Sequence, residues 1–396
     1  MEMEFSERLK SLPRYLFADL RSRIAEARKQ GREIINLGIG DPDFPSPNIV
    51  VEELKDKIDN DAPAVRHRYG CDVPVDALPI AFRDYYRRQW GVDLAADEVV
   101  VTMGSKDSIA RFPMAVMNPG ETGIAPVPGY PTYNIGHVFS GCLTHYVPLR
   151  REKKYLLDFS GIPAEVAKKA KILWINYPNN PTSATAPLSF FEEAVDFGRN
   201  NDILICHDNA YSANVYDGYK APSILQVEGA KDVAVEFFSL SKAFCMTGWR
   251  VGCMAGNSSA VRALCAVKEN VDNGTLRAIQ FAAARALNNS EELVPPINEI
   301  FQKRRDIVVE RLNSSVWDME KPKATLYIWV PVPERFNEKQ SPSWAYVEEL
   351  FEKKGIVVTP GRGYGPSGEG YFRISLTHSD EILERAVSMM AEMEEK

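Results

Sequence analysis

From about residue 98 the chain alternates short runs that are apolar throughout with stretches of helical periodicity. This limits the fold more than any other feature of the sequence. The runs are E-V-V-V-T-M (98–103), T-G-I-A-P-V (122–127), K-I-L-W-I-N (171–176), D-I-L-I-C-H-D (202–208) and V-A-V-E-F-F (233–238). A strand wetted on one face alternates apolar and polar side chains; these do not, so they suit strands covered on both faces of a largely parallel sheet. Helical stretches such as S-F-F-E-E-A-V-D-F-G-R (189–199) separate them, and a parallel crossover needs such a connection. The pattern predicts an α/β fold: a mostly parallel central sheet with flanking helices.

The flanks read differently. Phe17, Leu20, Ile24 and Ala27 recur at helical spacing over 17–29, and Gly31 ends that helix. A loop rich in glycine and proline follows, I-I-N-L-G-I-G-D-P-D-F-P-S-P. After about residue 285 the texture changes to a helix over 297–312, T-L-Y-I-W-V (325–330), a helix over 343–354, G-I-V-V-T-P (355–360) and Y-F-R-I-S-L-T (371–377). A last helix starts after Ser379, an expected N-cap. These predict a smaller α+β domain over 286–396, to which an N-terminal arm over 1–47 contributes, beside a large domain over 48–285. A chain of 396 residues is long enough for two domains.

Composition excludes several classes. With 45% apolar and 26% charged residues the chain is of ordinary globular type. A net charge of −7 argues against nucleic acid or an anionic membrane as partner. The start, M-E-M-E-F-S-E-R, does not read as a secretory signal, and no apolar stretch is long enough to span a bilayer. Cys71, Cys142, Cys206, Cys245, Cys253 and Cys265 form no C-x-x-C pair, and no histidine pair has metal-ligand spacing. That argues against a disulfide framework or a metal site and for a cytoplasmic protein.

In an open parallel sheet, ligands bind beyond the carboxyl ends of the strands. Five predicted strand ends carry chemistry: Gly104-Ser105-Lys106 after the first, Tyr130 after the second, Asn180 after the third, Asp208 and Tyr211 at the fourth, and Ser239-Leu240-Ser241-Lys242 after the fifth. A glycine before a helix start offers N–H groups to a phosphate. Ser239, Ser241 and Arg250 add hydroxyls and a forked cation. Tyr130 offers a flat face to an aromatic ring. Asp208 at a buried strand end needs a partner, which a protonated pyridine nitrogen provides. Lys242 can form a Schiff base with an aldehyde. Phosphate, pyridinium and aldehyde together describe pyridoxal 5′-phosphate.

Taken singly, each residue has an ordinary structural use. Most lysines are solvated, an aspartate after a strand is often a turn former, and asparagine before proline marks a turn. Their order along five strand ends is what points to one ligand. A rival dinucleotide motif, G-Y-G-P-S-G (363–368), runs into E-G-Y-F-R-I-S-L, which reads as a strand where that motif needs a helix. A nicotinamide-dependent dehydrogenase is therefore the weaker alternative.

Five segments, N-P-T (180–182), D-N-A-Y (208–211), S-L-S-K (239–242), G-W-R-V-G (248–252) and Y-F-R-I-S-L (371–376), carry a resemblance to the fold-type I, class I/II aminotransferases over nearly the whole chain. Within them the chain is most similar to the LL-diaminopimelate aminotransferase branch, on L-P-R-Y-L-F-A (12–18), G-I-G-D-P-D-F-P-S-P (38–47), G-S-K (104–106), W-I-N-Y-P-N-N-P-T-S-A (174–184) and T-P-G-R-G-Y-G (359–365). The resemblance implies Lys242 as Schiff-base lysine and proton shuttle, Asp208 at the pyridinium, and Asn180 and Tyr211 on the ring's phenolic oxygen. It implies Tyr130 stacked on the ring, and Ser105, Lys106, Ser239, Ser241 and Arg250 around the phosphate. Arg373 would clamp the substrate carboxylate with the backbone of Gly40, and Tyr15, Lys106, Tyr130 and Asn180 would also face substrate. Tyr69 would reach the phosphate of a neighbouring subunit, so a homodimer is implied.

The implied activity is transfer of an amino group from an amino acid, LL-2,6-diaminopimelate in this branch, to 2-oxoglutarate in lysine biosynthesis. An alanine, aspartate or aromatic aminotransferase and a β-lyase are the alternatives on the same fold. The chain departs from the family pattern at Pro74, Pro79, Asp107 and D-N-G-T-L (272–276).

Overall fold

The computed structural model describes residues 3–12, 16–70 and 74–395. An early two-residue strand, β1 (Ile35–Asn36), precedes the main sheet. That sheet is built from β2 (Val99–Thr102), β3 (Thr122–Val127), β4 (Leu143–Pro148), β5 (Ala170–Ile175), β6 (Leu204–Asn209), β7 (Ala234–Ser239) and β8 (Gly252–Gly256). Their order is β2-β8-β7-β6-β5-β3-β4, with only β8 antiparallel to its neighbours.

Both faces of the sheet are covered, as the unbroken apolar runs require. Successive side chains point to opposite faces. Along β5, Leu173 and Ile175 enter one core with Phe82, Phe191 and Phe238. Ile172 and Trp174 enter another, with Phe112, Phe237 and Leu264. Fully burying side chains of this size contributes about 1.5–3 kcal/mol each.

β1 falls in the stretch read as a loop, and two strands of the main sheet also lay outside the sequence expectation, for different reasons. β4 is an edge strand whose Leu143 and Tyr146 are exposed, so it lacks an apolar run. β8, G-C-M-A-G, is short and has a glycine at each end, where backbones meet. A side chain on Gly252 would press on the Phe238 carbonyl and on the Cα of Gly104.

A second core gathers around β9 (Tyr327–Pro331), β10 (Ile356–Val357), β11 (Thr359–Pro360) and β12 (Tyr371–Ser375). β11, β12 and β9 form an antiparallel sheet, and β10 pairs parallel with β1. Ile35 and Leu37 belong to this core, together with residues from the helices Ser290–Asn313, Pro342–Lys354 and Asp380–Glu394. The first of those helices begins before Pro295 and Pro296, seven residues earlier than the periodicity predicts. Ser379 occupies the N-cap position of the last helix, but its side chain accepts no capping bond. The G-Y-G-P-S-G stretch forms two short 3₁₀ turns leading into β12, so the structure provides a strand where a dinucleotide site needs a helix. Among the described residues no helix is long and apolar enough to cross a membrane.

Candidate active site

Lys242 sits in a four-residue helix (Leu240–Ala243) directly after β7, with Ser239 accepting the N–H of Ser241 as its cap. Its Nζ donates to the carbonyl of Gly40 at 2.5 Å. Burial pushes the ammonium below its ordinary value, and Arg373 and Arg250 act in the same direction. An amine so placed loses its proton more readily and becomes a better nucleophile.

Asp208 lies at the end of β6, buried. Oδ2 accepts from the Tyr133 hydroxyl at 2.9 Å, while Oδ1 has no partner. Burial raises the carboxyl from 3.8 to about 6. Tyr133 was not foreseen, although it stands three residues after Tyr130, so one helical turn brings it beside the same strand end.

Arg373, on β12, brings the second core to the site. It is buried, donating to Asn180 Oδ1 at 2.8 Å and to the Gly38 carbonyl at 2.7 Å. Its guanidinium lies over the rings of Tyr327 (3.9 Å) and Tyr364 (5.1 Å), and Nε has no partner. The groups that hold its proton are phenols, not carboxylates. A buried cation without a counter-ion is costly, and an incoming carboxylate supplies one.

Asn180 and Tyr211 stand between these groups. Tyr211 shares a 3.1 Å hydrogen bond with Tyr327 and lies 3.5 Å from Asn180 Nδ2. Tyr327 was also missed, since T-L-Y-I-W-V reads only as a strand. A Cβ on Gly40 would collide with the Tyr327 phenol, so the glycine permits that approach. Although burial opposes ionisation, Arg373 and Lys242 hold this phenol below its usual value.

Gly104, Arg250 and Ser239 lie at the neighbouring ends of β2, β8 and β7. Gly104, at φ 76°, precedes the helix Ser105–Val116 and lies so close to Arg250 that a Cβ would stand 2.9 Å from Nη2. Arg250 donates to the carbonyls of Thr247 (2.9 Å) and Met103 (3.3 Å). Ser239 pairs in register with Gly252, and Ser241 is buried. Tyr130 meets Tyr133 edge-on at 5.9 Å. Lys106 is exposed on the same helix start, and Tyr69 is 66% exposed. Tyr15 lies outside the described residues.

The raised Asp208 carboxyl has a consequence for stability. Its folded value of about 6 lies above the ordinary 3.8. The folded chain therefore binds more protons between those values, and stability falls as pH rises through 6. At pH 7.5 the ionised group costs the cofactor-free chain about 3 kcal/mol. Asp208→Asn should stabilise that form by up to about 3 kcal/mol at pH 7.5 and leave it nearly unchanged at pH 4. Urea unfolding at both pH values measures the difference; equal stability at pH 7.5 contradicts the expectation.

Residues 32–390 match the family model for aminotransferase class I and II. The chain is 45% identical to an LL-diaminopimelate aminotransferase of Moorella thermoacetica and 46% identical to one of Aquifex aeolicus, covering 98% and 97% of both chains respectively. Among solved structures it resembles substrate-bound BacF from Bacillus subtilis (TM-score 0.92, 34% identity, 99% of this chain and 98% of that one). It also resembles an aminotransferase from Staphylococcus aureus (TM-score 0.89, 31% identity, 99% and 100%). A lysine behind a parallel sheet, a buried lone carboxylate and a buried lone guanidinium thus occur in a chain that belongs to the class I and II aminotransferases, pyridoxal 5′-phosphate-dependent transaminases.

Proposed function

We propose that the chain transfers an amino group from LL-2,6-diaminopimelate to 2-oxoglutarate, as a cytoplasmic enzyme of lysine biosynthesis. The observation that carries the donor assignment is full-length similarity, at 45% identity, to proteins named for that donor. The test is a panel of amino donors with 2-oxoglutarate, scoring glutamate. LL-diaminopimelate is expected to exceed alanine, aspartate and aromatic donors by at least roughly 10²-fold in kcat/KM, the scale of one well-placed polar contact set. Equal rates across the panel overturn the assignment. A product released without consumption of the oxo acid marks a β-lyase instead.

Three features support the fit of these residues to pyridoxal phosphate. Asp208 Oδ1 is buried without a donor, as a carboxylate facing a ring N–H requires. Gly104 removes the side chain that would separate a helix start from Arg250. Lys242 Nζ is a desolvated amine at the same strand ends. When bound, the cofactor supplies an electron sink for the substrate's α-carbon. Lys242 would hold the cofactor, and its Nζ would carry the proton taken from the substrate's α-carbon. Asp208 would face the ring nitrogen, and Asn180 and Tyr211 would hydrogen-bond the phenolic oxygen. Tyr130 covers the ring face. Ser105, Lys106, Ser239, Ser241 and Arg250 bind the phosphate. Arg373 grips the substrate carboxylate in the fork geometry of a guanidinium, with Gly40 beside it; Tyr15 and Lys106 complete the substrate side.

The working unit in this proposal is a homodimer in which Tyr69 reaches the phosphate of a second copy. The supporting observation is a tyrosine left 66% exposed. Sedimentation at twice the chain mass of 44.4 kDa is expected, and a monomer would refute it. Each subunit comprises an arm (1–47), a cofactor-binding domain (48–285) and a small domain (286–396). The separate cores around β2–β8 and around β9–β12 support that division. The free thiols of Cys142, Cys206, Cys245 and Cys253 support the compartment.

A further inference from the structure

On the face of the sheet opposite Asp208, β6 and β7 hold a second group of ionisable side chains. His207 and Glu236 are partners in register, both fully buried, and no step above uses them. His207 Nδ1 lies 2.7 Å from Glu236 Oε2, and Nε2 lies 2.9 Å from the carbonyl of Tyr177. A carbonyl only accepts, so Nε2 carries a proton.

Glu236 receives the Tyr86 hydroxyl (2.5 Å), the Asn209 amide (2.8 Å), the Ile224 N–H (3.1 Å) and the Ser223 hydroxyl (3.0 Å). Ser223 Oγ itself accepts from Leu225 N–H, which leaves its own proton for the carboxylate. Four donors converging on one carboxyl mark it as ionised, and then Nδ1 carries a proton too. Burial opposes that ionisation, yet His207 and the hydrogen bonds hold Glu236 below its ordinary value. The groups packed on the imidazole are Glu236 from β7, Tyr177 from the loop after β5 and the ring of Phe191 at 4.8 Å. Asp208 follows it in the chain, and Tyr86 reaches the pair through Glu236.

The pair is tied to the site on both sides. The Tyr177 carbonyl that His207 holds opens the turn carrying Asn180. In that turn Asn176 donates to the Asp208 carbonyl (2.7 Å) and accepts the Asn180 N–H (2.8 Å). We propose that His207 and Glu236 form a buried imidazolium–carboxylate pair that positions Asp208 and Asn180 for the cofactor. The proposal rests on the roles assigned to those two residues above. His207 and Glu236 are positioning residues; neither touches the reacting atoms.

Long-range proton–nitrogen spectra of the cofactor-free chain test the charge state, with His207→Gln assigning the signals among five histidines. Both ring nitrogens of His207 are expected to carry protons; one bare nitrogen overturns the pair. Glu236→Gln keeps the shape and removes the charge. It should leave Nδ1 unprotonated and weaken pyridoxal phosphate binding to the cofactor-free chain about tenfold. Asp208→Asn in the same binding assay separates the two failures. If Asp208→Asn binds as the parent does, the assignment of Asp208 fails. If Asp208→Asn is weakened and Glu236→Gln is not, the positioning role fails. Should Glu236→Gln not fold, Tyr86→Phe, which removes one donor, replaces it. A loss of about threefold is then expected, and parent-like binding overturns the role.

Discussion

Lys242→Ala is expected to lose turnover by more than the ~10²–10⁴-fold that a positioned proton-transfer group contributes, because in the proposed role the same substitution also removes the covalent anchor of the cofactor. The parent protein treated with borohydride should retain the cofactor on the peptide containing position 242, and the variant should release it on dialysis. Both results follow from one placement: an amine partly buried behind β7, its ammonium form disfavoured by burial and by Arg373 and Arg250. Hydroxylamine-free assays with the preferred donor measure the rate. A variant that turns over near the parent rate would remove Lys242 from the chemistry altogether.

Arg373→Ala is expected to raise KM for the amino donor with a smaller change in kcat. Removing one partner of a desolvated charge pair costs about 3–5 kcal/mol, which is roughly 10²–10⁴-fold in kcat/KM. Arg373→Lys should recover little of it. A lysine ammonium cannot reproduce the fork that engages Asn180 and Gly38 and would meet the carboxylate at one point. Because Arg373 also braces Gly38, urea unfolding of both variants serves as the control for stability. An unchanged KM in a stable Arg373→Ala protein would dismiss the clamp.

Residues whose neighbours in the chain announce a strand end were legible in the sequence. Lys242, Asp208 and Asn180 each follow an apolar run, and the sheet brings those runs side by side. Tyr133 and Tyr327 were not legible. One packs on Trp174 with rings 5.1 Å apart, as any core tyrosine does; the other is one residue of a strand that belongs to the second core. Their importance comes from a contact made only in three dimensions, a hydroxyl on Asp208 and a phenol under Arg373. The edge strand β4 and the short, glycine-bounded strand β8 escaped for the reason that burial patterns report side chains. One is half wet and the other has only three side chains between two glycines, too short a run to stand out. His207 and Glu236 read as interruptions in apolar runs until the register pairs them.

The pairing of Ile35 with Ile356 joins a segment translated among the first to one translated among the last. Gly38, which receives Arg373, and Gly40, which receives Lys242, lie on that same early segment. During synthesis, the seven-stranded sheet can consolidate while the early segment still has no strand to add to. The amino-terminal stretch docks only when the carboxyl-terminal strands emerge, since domains fold as units and distant pairings form late. On the role proposed for Arg373, truncated or stalled chains would contain a sheet and a lysine but no carboxylate clamp.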